Sequence, residues 1–287
     1  LMLQYENILV FGEDVAKKGG VYNVTADLYK QFSIRRVFNS PLDETSILGF
    51  ASGLAHNGFL PIPEIQFLAY FHNAEDQLRG EAATLSFFSQ GQYLNPMVIR
   101  IAGLAYQRGF GGHFHNDNSL TIFRDIPGLI LACPSNGSDA VKMLRTATKE
   151  AHDKGRIVVF IEPIALYMVK DLHNPKDNKW SSKYPAMDEE LKIGEFITHG
   201  KGKALTIISY GNGLYHALKA QPEIEKKINR KIKIIDICWL SDINVDGLLK
   251  EIGQCKKVLI VDECRRSGCH GEGLVASLYE KSKNNLN

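Results

Sequence analysis

The chain has 287 residues, a formal net charge of +2 and 23% charged residues. This length is enough for two domains with cores of their own, and the nearly balanced charge argues against binding to nucleic acid or to a membrane surface. No apolar run approaches the roughly 20 residues that a membrane-spanning helix needs. The five irregularly spaced cysteines indicate a reducing compartment rather than a disulfide framework.

Short β-branched or apolar runs alternate with helical patterns, which is typical of parallel α/β units. In the first half the predicted strands are 8–11, 36–38, 60–65, 97–102, 129–132 and 157–161. The predicted helices between them are 24–32, 43–57, 73–89 and 138–151. A glycine-rich loop, 103–116, follows the fourth strand.

A polar stretch with two prolines and no periodicity separates this pattern from a second one. We therefore predict a first α/β domain over residues 1–171, a linker over 172–190 and a second α/β domain over 191–287. The second domain is predicted to hold strands 205–209, 233–237 and 258–262. Its helices are predicted to start at Gly213, after Asn244 and at Gly271.

One helix start carries an unusual concentration of signals. Ser40 is a candidate N-cap, Pro41 suits the first helical position, and Asp43 would complete a capping box. Glu44 then falls in the first turn, where a carboxylate stabilises the positive end of a helix. Gly49 and Gly53, one turn apart on the same helix, predict a close crossing with another helix, within the chain or between subunits.

Three separated motifs occur in one order along the chain. They are SPLDE at 40–44, PIPEIQFLAYFHNAEDQ at 61–77 and GGHFHNDNSLTIFRDIPGLILACPSNGSDA at 111–140. Together they resemble the β subunit of the E1 component of thiamine-diphosphate-dependent 2-oxoacid dehydrogenases, within the transketolase-like group. The resemblance runs from about Val10 to the C-terminus. It implies a pyrimidine-binding domain followed by a transketolase C-terminal domain.

The resemblance implies roles for particular residues. The glutamate of the SPLDE motif, Glu44, would hydrogen-bond the pyrimidine ring of thiamine diphosphate and promote its ionisation. The aromatic ring that stacks on the pyrimidine falls on Tyr70, with Leu42 and Gln66 nearby. Without the resemblance, Glu44 is explained as a helix-stabilising carboxylate and Tyr70 as a core residue. Glu64 is expected to be buried and paired, because an unpaired buried carboxylate is costly.

A histidine in the glycine-rich loop is the third element that the resemblance implies. His115 would contact the substrate or intermediate and help pass the acyl group to a lipoyl arm, and histidine suits proton transfer near neutral pH. The family more commonly shows His-Ser-Gln here, whereas this chain has His115-Asn116-Asp117. Cys238-Trp239 is a second departure, since relatives tend to have arginine and then threonine or serine. Trp239 is either a packing substitution or a change in a partner surface.

The family binds the diphosphate and Mg2+ through a Gly-Asp-Gly motif that this chain lacks. The resemblance therefore implies an E1 α subunit, or a missing N-terminal half, as partner, with self-association into an α2β2-like assembly. It also implies an E2 lipoyl acyltransferase as acyl acceptor. The EIQF string favours branched-chain 2-oxoacids over pyruvate. The expected location is the cytoplasm in a bacterium or the mitochondrial matrix in a eukaryote, and the cytoplasm is favoured.

Other interpretations of the same residues stay open. A transketolase or deoxyxylulose-phosphate synthase would share the fold, and a non-catalytic subunit would only bind partners. His113, His115 and Asp117 match a His-x-His-x-Asp spacing that some zinc hydrolases use. The Cys264–His270 loop also suggests a metal site, but it lacks a second closely spaced cysteine pair.

Overall fold

The computed structural model describes residues 1–105, 111–112 and 115–284. The strands of this part are β1 (Ile8–Gly12), β2 (Val37–Asn39), β3 (Leu60–Ile65), β4 (Met97–Gly103), β5 (Ile130–Ala132), β6 (Ile157–Pro163), β7 (Ile197–His199), β8 (Thr206–Ser209), β9 (Lys233–Asp236) and β10 (Val258–Ile260). Its α-helices are α1 (Leu28–Phe32), α2 (Glu44–His56), α3 (Leu68–Phe71), α4 (Ala83–Phe88), α5 (Gly137–Lys154), α6 (Gly211–Ile228), α7 (Val245–Ile252) and α8 (His270–Asn284).

The strands form two sheets. The first has six parallel strands in the order β2-β1-β3-β4-β6-β5, and the second has the order β10-β8-β9-β7. All pairs in the second sheet are parallel except β7 with β9. Two α/β domains, as predicted, are therefore confirmed. The segment predicted as a linker separates the strands of the two sheets in the sequence. Within it, the Asp177 carboxylate accepts hydrogen bonds from the backbone N–H groups of Leu172, His173 and Asn174.

Helices cover both faces of the first sheet. Leu9 and Phe11 of β1 pack with Ile47 and Leu48 of α2. Ile8 and Val10, which alternate with them, pack with Met143 and other residues of α5 on the opposite face. Such alternation between two cores is expected for a parallel sheet that is buried on both sides. The layering places the carboxyl ends of β1, β3 and β4 at one edge, where α2 begins.

Four local expectations were wrong. Asp43, not Ser40, is the N-cap of α2, and its carboxylate accepts a hydrogen bond from Ser46 Oγ instead of closing a capping box. The helix predicted over 24–32 is shortened to α1, because left-handed backbone at Asp27 interrupts it. The helix predicted over 73–89 changes to a π-helix over Gln77–Ala82 before α4 begins. The edge strand β7 was missed.

Trp239 joins the two domains. It is fully buried and packs with Ile130, Ala132 and Met143 of the first domain. Around it, Leu240 N–H donates to Leu131 O at 2.7 Å, so that the chain after β9 continues the edge of the first sheet. Of the two explanations for a tryptophan at position 239, a packing substitution or a change in a partner surface, the structure supports packing. Among the described residues, no helix combines the length and the apolar character needed to cross a bilayer.

Candidate active site

Two carboxyl groups meet where β1 ends and α2 begins. Glu13 directly follows β1, and Glu44 is the first residue of α2. Both side chains are buried, and Glu44 is only 4% exposed. The two meet because the parallel strands of an α/β sheet present their carboxyl ends to the same edge, which is where such folds bind ligands. Glu44 therefore points into the molecule and not into bulk solvent.

The pair holds a proton near neutral pH. Burial, followed by the neighbouring Glu44 and Asp14 carboxylates, raises the pKa of Glu13 to about 7. Two like charges at short range resist ionising together, so one of the two groups keeps its proton. Asn73 Nδ2 donates to Glu44 Oε2 at 3.3 Å and helps to hold the Glu44 carboxyl group in place. This arrangement can deliver or accept a proton at physiological pH.

A charged network lies next to the pair. Arg100 on β4 is buried and contacts Glu64 Oε2 through Nη1 at 2.8 Å. Its Nε contacts Glu162 Oε1 at 2.6 Å, and the Tyr167 hydroxyl donates to the same Glu162 carboxylate. The expectation that Glu64 is buried and paired is thus confirmed. Burial raises the pKa of Glu64, and Arg100 opposes that rise.

Three rings cluster beside the start of α3. The Tyr70 hydroxyl lies 3.2 Å from His115 Nε2, and the Phe67 and His115 rings pack edge-to-face with centroids 4.6 Å apart. His115 Nδ1 lies 2.8 Å from the carbonyl oxygen of Gly111. Since a carbonyl only accepts, Nδ1 carries the hydrogen, and in the neutral ring Nε2 accepts from Tyr70. The Tyr70 and His115 side chains, 45 residues apart in sequence, therefore form one unit.

Helical turns connect this ring cluster to the carboxyl pair. Asn73, which donates to Glu44, lies in the 3-10 turn directly after α3 and three residues beyond Tyr70. Thr45 Oγ1 of α2 also donates to Asn73 O at 2.9 Å. The structure thus brings Glu44 and Tyr70 onto adjoining, hydrogen-bonded elements. Gln66 is half-buried in the turn before α3, whereas Leu42 lies on the surface with 78% of its area exposed.

The proposed metal sites find no support in the part of the chain that the structure describes. There, no group of three His, Cys, Asp or Glu side chains could hold a metal ion. His113 lies outside the described residues. Asp117 instead contacts His72, and the Cys264–His270 loop packs on the first domain, where Thr121 Oγ1 donates to Gly268 O and Cys264 Sγ lies 3.0 Å from Asn118 O.

A separate cavity of about 1240 Å3 lies on the opposite side of the first sheet, towards α1 and α5. Its lining includes Arg100, Glu162 and Tyr167, but not Glu44, Tyr70 or His115. The charged network therefore borders both this cavity and the carboxyl pair. Glu44, Tyr70 and His115, which the sequence analysis selected, lie on the side of the first sheet where its strands have their carboxyl ends, and they do not line this cavity.

Comparison with known proteins assigns the two domains. The family described as "Transketolase, pyrimidine binding domain" matches residues 1–169, and "Transketolase, C-terminal domain" matches residues 194–287. A pyruvate dehydrogenase E1 component subunit beta from Staphylococcus epidermidis is 33% identical over 96% of this chain and 80% of its own length. The Bacillus subtilis protein of the same name is 29% identical over the same shares.

The chain belongs to the transketolase-like E1 β-subunit family. A solved structure titled "Split gene transketolase, inactive beta4 tetramer" has the same fold, with a TM-score of 0.73 at 18% identity over 97% of this chain and 80% of that chain. Within this family assignment, Glu13, Glu44, Tyr70 and His115 all lie in the part that matches the pyrimidine-binding domain.

Sequence reasoning missed several residues of the site. Glu13 lies two residues beyond the predicted strand 8–11, near the carboxyl end where a parallel sheet forms its crevice, so its place could have been used as a signal. Asn73 was predicted only to begin a helix, and His72 was given no role. Their contacts join segments that are distant in the sequence, and no local pattern indicates them.

Proposed function

We propose that this chain is the β-type part of a 2-oxoacid dehydrogenase E1, in which Glu44 holds the pyrimidine ring of thiamine diphosphate. The observation that carries the proposal is the buried Glu13–Glu44 pair, at the crevice edge of the domain that matches the pyrimidine-binding family. The names of the relatives support the class of reaction.

The residues around Glu44 suit a protonatable aminopyrimidine. Thiamine diphosphate, when bound, supplies the carbanion-stabilising chemistry of decarboxylation. Glu44 would hydrogen-bond the pyrimidine N1′ atom, and its burial would exclude competing water. Glu13, whose pKa is about 7, provides a second group beside Glu44 that can accept a proton. Asn73 fixes the orientation of Glu44, and Tyr70 offers a ring face to the heterocycle, with Gln66 and Leu42 at its rim.

His115 acts on the substrate side of the site. Its Nδ1–H is held by Gly111 O, and its Nε2 faces the Tyr70 hydroxyl. This imidazole is placed to exchange a proton with the substrate carbonyl region through Nε2 and to steady a developing charge. Passing the acyl group to a lipoyl group on an E2 acyltransferase belongs to the same proposal.

A partner completes the site in this proposal. Leu42 and Phe50, close to Glu44 in sequence, are 78% and 52% exposed. A methyl group added at Gly49 or Gly53 would meet nothing within 4 Å, so the face of α2 that was predicted to make a close crossing is open in the single chain. An E1 α subunit, carrying the diphosphate and Mg2+ site, fits against this face. Association of two such pairs gives the α2β2-like assembly.

The substrate is a 2-oxoacid, and two considerations point to different members of this class. The names of the relatives favour pyruvate, whereas the Glu64–Phe67 string favours branched-chain 2-oxoacids. Pocket volume on both subunits decides between them, so the assay must compare the substrates directly.

The test is reconstitution. The chain is mixed with the E1 α subunit of the same organism, thiamine diphosphate and Mg2+, and decarboxylation of pyruvate, branched-chain 2-oxoacids and 2-oxoglutarate is measured. We expect decarboxylation that requires both chains and the cofactor. No turnover of any 2-oxoacid, with an α subunit that is active beside a known β subunit, would refute the proposal. So would ketol transfer between sugars or tightly bound zinc with hydrolase activity.

A further inference from the structure

Two parallel contacts join the turn of α3 to the segment that carries His115. Tyr70 contacts His115, and two residues further on in each segment, His72 Nε2 contacts Asp117 Oδ2 at 3.0 Å. The second contact is an ion pair whenever His72 is protonated. In both segments the two contacting residues are two positions apart. The His72–Asp117 contact therefore restrains the distance and the angle between Tyr70 and His115.

Asp117 has further partners that fix it in place. Its Oδ1 accepts from Ser119 N–H at 3.1 Å and from Ser119 Oγ at 2.6 Å. Arg265 of the second domain approaches the same oxygen with Nη2 at 3.5 Å and also donates to Ser119 Oγ. Although partial burial would raise the pKa of Asp117, the hydrogen bonds from Ser119 and His72 lower it. The carboxylate therefore stays ionised and joins three segments from two domains.

We propose that Asp117 is a positioning residue, which holds His115 against Tyr70 by binding His72 on one side and Arg265 on the other. The proposal rests on the proposed function for its effect on the reaction, but its structural part stands alone. The family that this chain resembles more commonly has a neutral glutamine at this place. A carboxylate there suits a chain that places the guanidinium of Arg265 and the imidazole of His72 beside it.

A simple surface salt bridge is the competing explanation. The His72 side chain is 48% exposed and that of Asp117 12% exposed, and exposed pairs contribute little to global stability. Under both explanations, loss of the pair leaves the melting temperature nearly unchanged. They differ in what happens to His115, because a positioning role requires its segment to loosen while the rest of the fold stays intact.

The experiment compares Asp117→Asn with the wild type. Asparagine keeps the shape and the acceptor for Ser119 N–H but removes the charge. Hydrogen–deuterium exchange is followed in the full chain over residues 115–119, and steady-state kinetics are measured after reconstitution with the E1 α subunit, thiamine diphosphate, Mg2+ and 2-oxoacid. Asp153→Asn is the matched control, since Asp153 pairs with His152 at 2.7 Å on the surface of α5, far from His115 in the fold.

We expect exchange over 115–119 to accelerate in Asp117→Asn and to stay unchanged in the control. We also expect kcat to fall roughly tenfold to a hundredfold with little change in KM, because a misplacement of about 1 Å costs that much in the chemical step. His72→Leu should show both effects, and His72→Gln should restore part of the loss. Asp117→Asn combined with His72→Leu should be no worse than Asp117→Asn alone.

The two readouts separate the inference from the proposed function. Unchanged exchange over 115–119 in Asp117→Asn would overturn the positioning role, whatever the activity. Faster exchange with unchanged kcat in an active complex would also overturn it, because His115 would then tolerate displacement. Faster exchange in the chain, together with a wild-type complex that decarboxylates no 2-oxoacid, would refute the proposed function while the structural part of the inference stands.

Discussion

Replacing Glu13 by glutamine tests the buried carboxyl pair without any assay of activity. In the folded chain the pKa of Glu13 is about 7, against an ordinary value of 4.5. Below pH 4.5 the group is neutral in both the folded and the unfolded chain. Between pH 4.5 and 7 the unfolded chain loses this proton and the folded chain keeps it, so a rising pH favours unfolding. Above pH 7 the group is ionised in both states.

The magnitude follows from the same values. At about 1.36 kcal/mol per pH unit, the interval from 4.5 to about 7 corresponds to roughly 3 kcal/mol of lost stability. Glutamine has the same shape and cannot ionise. We therefore expect the free energy of unfolding of Glu13→Gln, minus that of the wild type, to rise by about 2–3 kcal/mol from pH 4.5 to 7.5.

Urea unfolding at a series of pH values, monitored by tryptophan fluorescence, measures this difference. Glu81→Gln, an exposed carboxylate in the π-helix after α3, is the matched control and should give one constant difference. In Glu44→Gln the pH dependence due to Glu13 should weaken, because one of the charges that opposes its ionisation is gone. A difference between Glu13→Gln and wild type that is the same at every pH would refute the carboxyl pair.

Two further predictions concern the fold. Trp239→Ala should lower the free energy of unfolding by about 3–5 kcal/mol in urea titrations, because a fully buried side chain is lost; Trp239→Phe should cost clearly less, and a loss below about 1 kcal/mol for alanine would contradict the packing. Burial lowers the pKa of His270 to about 4, so its share of the stability is complete above pH 6.5 and is lost as pH falls from 6.5 towards 4. His270→Leu should remove up to roughly 3 kcal/mol of that loss, and acid-unfolding curves of wild type and variant that run in parallel would contradict it.

The sequence predicts elements well where the local signal is complete. Strand β3 begins and ends where predicted, because six consecutive buried residues are flanked by turn residues. Helix α2 begins within one residue of its predicted start, but its N-cap was wrongly placed at Ser40, because the Ser40-Pro41 signal suits a cap that the chain does not use. The helix predicted over 73–89 changes its hydrogen-bonding pattern at Gln77, and Gly80 in that stretch weakens an ordinary α-helix. Strand β7 has only three residues, none of them buried, and owes its place to antiparallel pairing with β9.

In the candidate site, too, residues within local motifs could be predicted, whereas contacts between distant segments could not. Glu44, Tyr70 and His115 could be selected because their motifs resemble a family, and their catalytic roles stay predictions. The Glu13–Glu44 pair, the Asn73 contact and the bridge through Asp117 join residues 29 to 148 positions apart in the sequence. Contacts of that kind depend on sheet order and domain packing, which one sequence does not reveal.

The most direct test of the central claim is the activity of Glu44→Gln in the reconstituted complex. Glutamine preserves the size of the side chain but cannot hold or release a proton at the pyrimidine ring. We expect decarboxylation to fall by roughly a hundredfold or more, as is typical when a general acid–base group is removed, with the folded chain and its association with the α subunit intact. Activity within about twofold of the wild type would contradict the assignment of Glu44.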